Sequence, residues 1–129
     1  MRLLLAAALL LPSAAAAAGP LPVKACVKWS KDLPEARAAG EGLFESVALV
    51  EGKGPFPSCG VVVETESFGV GWLMRAWMKQ GVYSPCGERL GGFKFRYKGD
   101  AWKAKLVTGL HAFIVKNPEK LPSAKGCAP

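Results

Sequence analysis

The first eighteen residues set both the size and the redox chemistry of what this chain can fold into. Arg2 supplies a positive start, Leu3 to Leu11 is an unbroken apolar run, and Ala14 to Ala18 offers small residues to a signal peptidase. This is the pattern of a secretory signal over residues 1–18, with cleavage expected before Gly19. A spanning helix would need about 20 apolar residues. The segment spans sixteen residues from Leu3 to Ala18, interrupted by Pro12, a helix breaker, and Ser13. The expected product is residues 19–129, with no transmembrane segment, delivered to the periplasm or secreted. The single arginine and the alanine-rich stretch have a bacterial look.

A remainder of 111 residues is one small domain, too short for two independent cores. Such a domain gains from covalent staples, and Cys26, Cys59, Cys86 and Cys127 are available. An even count in an exported chain reads as two disulfides. Three connectivities are open; Cys26–Cys127 with Cys59–Cys86 is the expected one, tying the termini and bracketing the middle. Metal binding is not expected, because the chain has no CxxC pair and only one histidine, His111. No glycine-rich phosphate loop occurs either, so no cofactor is expected.

Charge is divided along the chain. From Gly19 to Met74 five basic residues face seven acidic ones; from Arg75 onward eleven face three. A basic half attracts acidic proteins, anionic lipid headgroups or anionic polymers, although the same charge also serves solubility.

Local patterns predict an α+β domain, with an all-α bundle as the alternative. Val23 to Ser30 alternates weakly, as a strand does. Pro34 suits the first turn of a helix reaching Gly40, with Asp32 nearby as a cap. Leu43 to Val50 fits either a helix or a strand. Val61–Val63 is a β-branched strand. Phe68, Trp72 and Ala76 lie on one helical line, which predicts a helix from Phe68 to Gln80 capped by Ser67, with Trp72 in the core. Gly69 and Gly71 weaken that helix by about 1 kcal/mol each. Phe93 to Lys98 alternates rings and cations with period two: a strand showing Phe93, Phe95 and Tyr97 on one face and Lys94, Arg96 and Lys98 on the other. Asp100 is a candidate cap for a helix from Ala101 to Lys116, whose stripe is Trp102, Leu106, Leu110 and Phe113 or Ile114. A short antiparallel sheet packed on this C-terminal helix is the expected architecture.

Catalytic patterns are sparse. His111 sits off the main stripe, near the expected solvent boundary, and no GxSxG occurs. Glu64 and Glu66 would share a strand face and Glu41 and Glu45 a helical face, the raw material of a small periplasmic hydrolase. Rings and cations on opposite faces make a half-buried strand rather than a nucleic-acid platform. The cations Lys94, Arg96, Lys98, Lys103 and Lys105 instead suggest one positive patch, with Trp29 and Trp77 as anchors.

Cys26, Cys59-Gly60, Tyr83-Ser84-Pro85-Cys86 and the stretch from Leu106 to Ala124, with Asn117-Pro118-Glu119-Lys120-Leu121, resemble the small periplasmic immunity proteins of bacterial type VI secretion systems. Cys127 would stand for that family's closing cysteine. About the last third of the chain aligns; Val61–Val63 and the strand-like Phe93 to Tyr97 depart from that mostly helical family. The resemblance implies binding and blocking of a toxic effector. The functional expectation is therefore an exported, non-enzymatic binding protein meeting an acidic protein partner, as an inhibitor or immunity protein, or else an anionic envelope polymer. Nucleic acid is not an expected partner.

Overall fold

The computed structural model describes residues 20–120; the leader, its cleavage point and Cys127 lie outside them. Five strands and two helices follow in the order β1 (Leu21–Lys28), α1 (Pro34–Gly40), β2 (Phe44–Val50), β3 (Val61–Val70), β4 (Ala76–Tyr83), β5 (Arg89–Tyr97) and α2 (Ala101–Lys116). The fold is α+β, and the sheet has the order β2-β1-β3-β4-β5. It is mixed rather than antiparallel throughout. β1 runs parallel to β2 and to β3, while β3–β4 and β4–β5 are antiparallel. The crossover through α1 explains the parallel β1–β2 pair, because a strand that returns by way of a helix enters the sheet in the same direction; the 51–60 connection then carries the chain across to the other side of β1.

Both helices cover one sheet face. Leu106, Val107, Leu110 and Ile114 of α2 meet Ala25, Val27, Val61, Val63 and Val82 of the strands. Leu33 and Ala36, at and in α1, close the same core. Val61–Val63 is buried throughout: its outer members join this core, and Val62 joins a smaller cluster on the opposite face with Cys26 and Cys59. Leu43 to Val50, open to either reading, is strand from Phe44; Val47 and Leu49 stand opposite Ala25 and Val27.

The cysteine pairing differs from expectation. Cys26 bonds Cys59, with Cα atoms 5.9 Å apart, so neither Cys26–Cys127 nor Cys59–Cys86 forms. β1 and the start of β3 are parallel neighbours, and their register sets Cys26 opposite Val62. Cys59, in the loop just before β3, thus arrives beside Cys26. Cys86 is disulfide-bonded as well.

The expected helix over Phe68–Gln80 is also overturned. β3 continues to Val70, a tight turn follows, and β4 pairs back from Val70↔Ala76 to Val62↔Tyr83. The helical line Phe68–Trp72–Ala76 is a coincidence of spacing. Two strands pairing over eight positions outweigh a helix with two glycines in its first turn. Gly69 lets the Trp77 ring lie across it: a Cβ there would sit 3.0 Å from the ring, which would have to shift. Asp32 pairs with Arg37, and Leu33 takes the N-cap position of α1; Asp100 holds the N-cap position of α2 as expected, without a side-chain capping hydrogen bond, 3.9 Å from Lys103.

Candidate functional site

β1 pairs with β3 only as far as Lys28↔Glu64, yet β3 runs on to Val70. Beyond that row β3, β4 and β5 form a three-stranded arm that outruns the rest of the sheet. Six residues at about 3.3 Å each make it about 20 Å long. At its root a bulge follows Thr65 in β3. There Arg89 grips Glu66 through two nitrogens at 2.9 Å, and the Tyr83 hydroxyl donates to the same carboxylate. The clamp ties all three strands. Arg89 first, and Tyr83 second, hold the Glu66 carboxyl at about 2, and the shared proton raises Tyr83. A carboxylate held this way carries no proton for general acid work near neutrality.

At the far end the chain turns through Gly71 to Arg75, closed by Gly71 N–H donating to the Arg75 carbonyl at 2.7 Å. Leu73 and Met74 both take left-handed backbone, with φ of 63° and 59°. This conformation costs a residue bearing a Cβ about 1–2 kcal/mol. The side chains at this end are Phe68, Val70, Trp72, Leu73 and Met74, and all of them face solvent. Trp72, expected in the core, is 84% exposed, and Met74 is 83% exposed. Contiguous exposed apolar groups of this size mark an interaction surface.

Cations stand behind this tip. On the open sheet face Lys79 and Lys94 are opposite one another, and Arg96 is opposite Trp77. The Lys94 ammonium lies 4.9 Å from the Trp77 ring centre. On the other side Arg75, Lys98 and Lys105 line a cleft of about 660 Å³ with Leu73, Met74 and Tyr97. Lys105 also donates to the Arg96 carbonyl at 2.8 Å. From Ser67 to Gly99 the chain carries a single acid, Glu88.

Most of the expected patch is therefore gathered: Lys94, Arg96, Lys98 and Lys105 surround the arm, and Trp77 lies half-buried among them. Lys103 points elsewhere, 3.5 Å from Glu35 of α1. Trp29 is half-buried against Trp102, ring centres 4.9 Å apart, and lines a hollow with Lys28 and Thr65 at the base of the arm, not at its tip. The rings Phe93, Phe95 and Tyr97 share the helix side of β5, where Phe93 and Phe95 pack against the core. Sequence reasoning missed Trp72, Leu73 and Met74. The signal available was the pair of glycines, which weakened the helix that would have buried them.

Of the catalytic candidates, Glu41 and Glu45 share no helical face, because Glu41 follows the end of α1 and Glu45 lies in β2. His111 is buried rather than at the solvent boundary, and the Phe44 ring meets it edge-on at 5.6 Å. Glu64 pairs with Lys28 at 3.2 Å. Among the described residues, no group of three or more His, Cys, Asp or Glu side chains is placed to hold a metal ion. No helix among them is long and apolar enough to cross a membrane. A second groove, about 540 Å³, runs between β5 and α2 past Phe93, Phe95 and Gly109, with Lys105 and Lys116 at its rim.

No protein family, curated protein or solved structure matches the chain. The resemblance to immunity proteins rests on the residues that carry it.

Proposed function

We propose that this chain is an exported, non-enzymatic binding protein that attaches to an anionic partner through the tip of the β3–β4 arm. Trp72, Leu73 and Met74 are the apolar anchor. Arg75, Lys79, Lys94, Arg96, Lys98 and Lys105 steer the approach and pair with the partner's negative groups. The observation that carries this reading is the exposure of three successive large apolar side chains, two of them in costly backbone, within a field of cations. A soluble surface has no use for such a turn, and polar residues or glycine would fill it at lower cost.

Retention of the purified protein on a bacterial envelope fraction tests the reading. Retention should fall at least about tenfold on Trp72→Ser/Leu73→Ser/Met74→Ser, a change of about 1.4 kcal/mol or more in binding free energy. It should also weaken when salt is raised to about 0.5 M, where exposed charges are screened. Equal retention of the triple variant and the parent protein, both folded, refutes the site.

A further inference from the structure

We infer that the anionic partner is a lipid bilayer, into whose interface the tip inserts; this rests on the reading of the arm as the binding site and names what it binds. Three observations favour a membrane over a protein surface. First, the exposed apolar side chains are gathered at the projecting end of the arm, on the last residues of β3 and in the turn itself. Phe68 and Val70 on β3 and Trp72, Leu73 and Met74 in the turn are each more than 60% exposed. The acyl boundary of a bilayer surrounds an inserted tip.

Second, the cations stand at a suitable height. Arg75 follows Met74 directly. Arg96 is opposite Trp77, three residues behind Met74, or about 10 Å at the rise of a strand. Interfacial elements seat their apolar face about 5–10 Å deep, at the boundary of headgroups and acyl chains. A tip sunk to that depth places Arg75 and Arg96 among the phosphates. Lys79 and Lys94 then lie one layer further out, where anionic lipid still attracts them.

Third, the cations are not confined to one face. Lys94 and Arg96 lie on the open side of the sheet and Lys105 on the helix side, with Lys98 at the strand end between them. A collar suits a plane of negative charge met end-on. Trp72 and Tyr97 add the amphipathic rings that favour the headgroup level. Such attachment is peripheral and needs no spanning helix.

The test uses the full purified protein and vesicles of two compositions, pure phosphatidylcholine and an equimolar mixture with phosphatidylglycerol. Cosedimentation should show partitioning into the anionic vesicles at least about tenfold above the neutral ones. Trp72→Ser/Leu73→Ser/Met74→Ser should reduce it about tenfold or more. Arg96→Glu/Lys98→Glu, which leaves the tip intact, should do the same at low salt. Bromine placed on the upper acyl carbons should quench tryptophan fluorescence in the parent protein. That quenching should fall several-fold in Trp72→Phe, because Trp77 sits level with Arg96 at the phosphates, above the brominated carbons, and Trp29 and Trp102 lie further from the tip. No partitioning into anionic vesicles, or partitioning unaffected by the tip variant, overturns the inference. If the envelope fraction still retains the protein through its tip while lipid vesicles do not, the partner is an acidic protein or polymer: the site survives and the lipid assignment falls. If neither retains it, both fall.

Discussion

Replacing Leu73 and Met74 together by glycine should make this protein more stable while removing its grip on a partner. Both residues hold left-handed backbone, at φ 63° and 59°. For a residue with a Cβ this costs about 1–2 kcal/mol each. Glycine escapes that cost but gives the unfolded chain extra freedom, worth about 0.5–1 kcal/mol per site. Little burial is lost, because Leu73 is 66% and Met74 83% exposed. The balance is a gain of about 1 kcal/mol for the pair. Urea unfolding should show a higher midpoint with unchanged slope. The melting temperature should rise by about 4–8 °C, as expected for a domain near this size. The same variant should partition poorly into anionic vesicles. A midpoint below the parent's would refute the reasoning, since it would mean that the two side chains are packed or that the turn does not strain them. A stabilised variant that binds as well as the parent would show that these residues are not the anchor.

Two other perturbations test what holds the arm to its base. The carboxyl of Glu66 has a folded value of about 2, below its ordinary 4.5, because Arg89 and Tyr83 bond its ionised form. Its contribution to stability is present above about pH 4.5 and is lost as pH falls towards 2. At a surface clamp this is worth about 1 kcal/mol after solvent screening. Glu66→Gln should therefore lower the unfolding free energy by about 1 kcal/mol near neutral pH and by almost nothing near pH 2. An equal deficit at both would mean that packing, not charge, is lost. Removing the Cys26–Cys59 bond, which spans 33 residues, as Cys26→Ala/Cys59→Ala should cost about 3–4 kcal/mol in denaturant unfolding. A loss below about 1 kcal/mol would show that the loop is held by other contacts.

The elements legible in the sequence were those whose pattern and environment agree. α2 spans Ala101–Lys116 as its stripe predicts, since Leu106, Leu110 and Ile114 are its buried side. β5 keeps its rings on the helix side and Lys94 and Arg96 on the other, as strict alternation requires. α1 begins at Pro34 because proline's fixed φ and missing N–H suit a first turn. The site was half legible. Its cations were readable as a cluster because charge density is a property of composition. Its anchor was not, because a stripe drawn through Phe68, Trp72 and Ala76 assumes that large apolar residues are buried, and here they are displayed. The cysteine pairing depended on which strands are neighbours, and a parallel β1–β3 contact leaves no local mark.

The rigid root and the bare tip belong together. A loose loop bearing Trp72, Leu73 and Met74 would lower its free energy by folding those side chains onto the nearest apolar surface, and Tyr97 lines the same cleft as Leu73 and Met74. They remain extended because the turn is closed by the Gly71–Arg75 hydrogen bond and carried on paired strands. The Glu66–Tyr83–Arg89 clamp fixes those strands to the body. Exposure of the tip is thus enforced by the fold. Weakening the clamp should loosen binding even though no clamp residue touches the tip. If the apolar groups merely happened to be outside, clamp and binding would be independent. Measuring vesicle partitioning of Glu66→Gln beside its stability separates the two, and an unchanged partition would break the link.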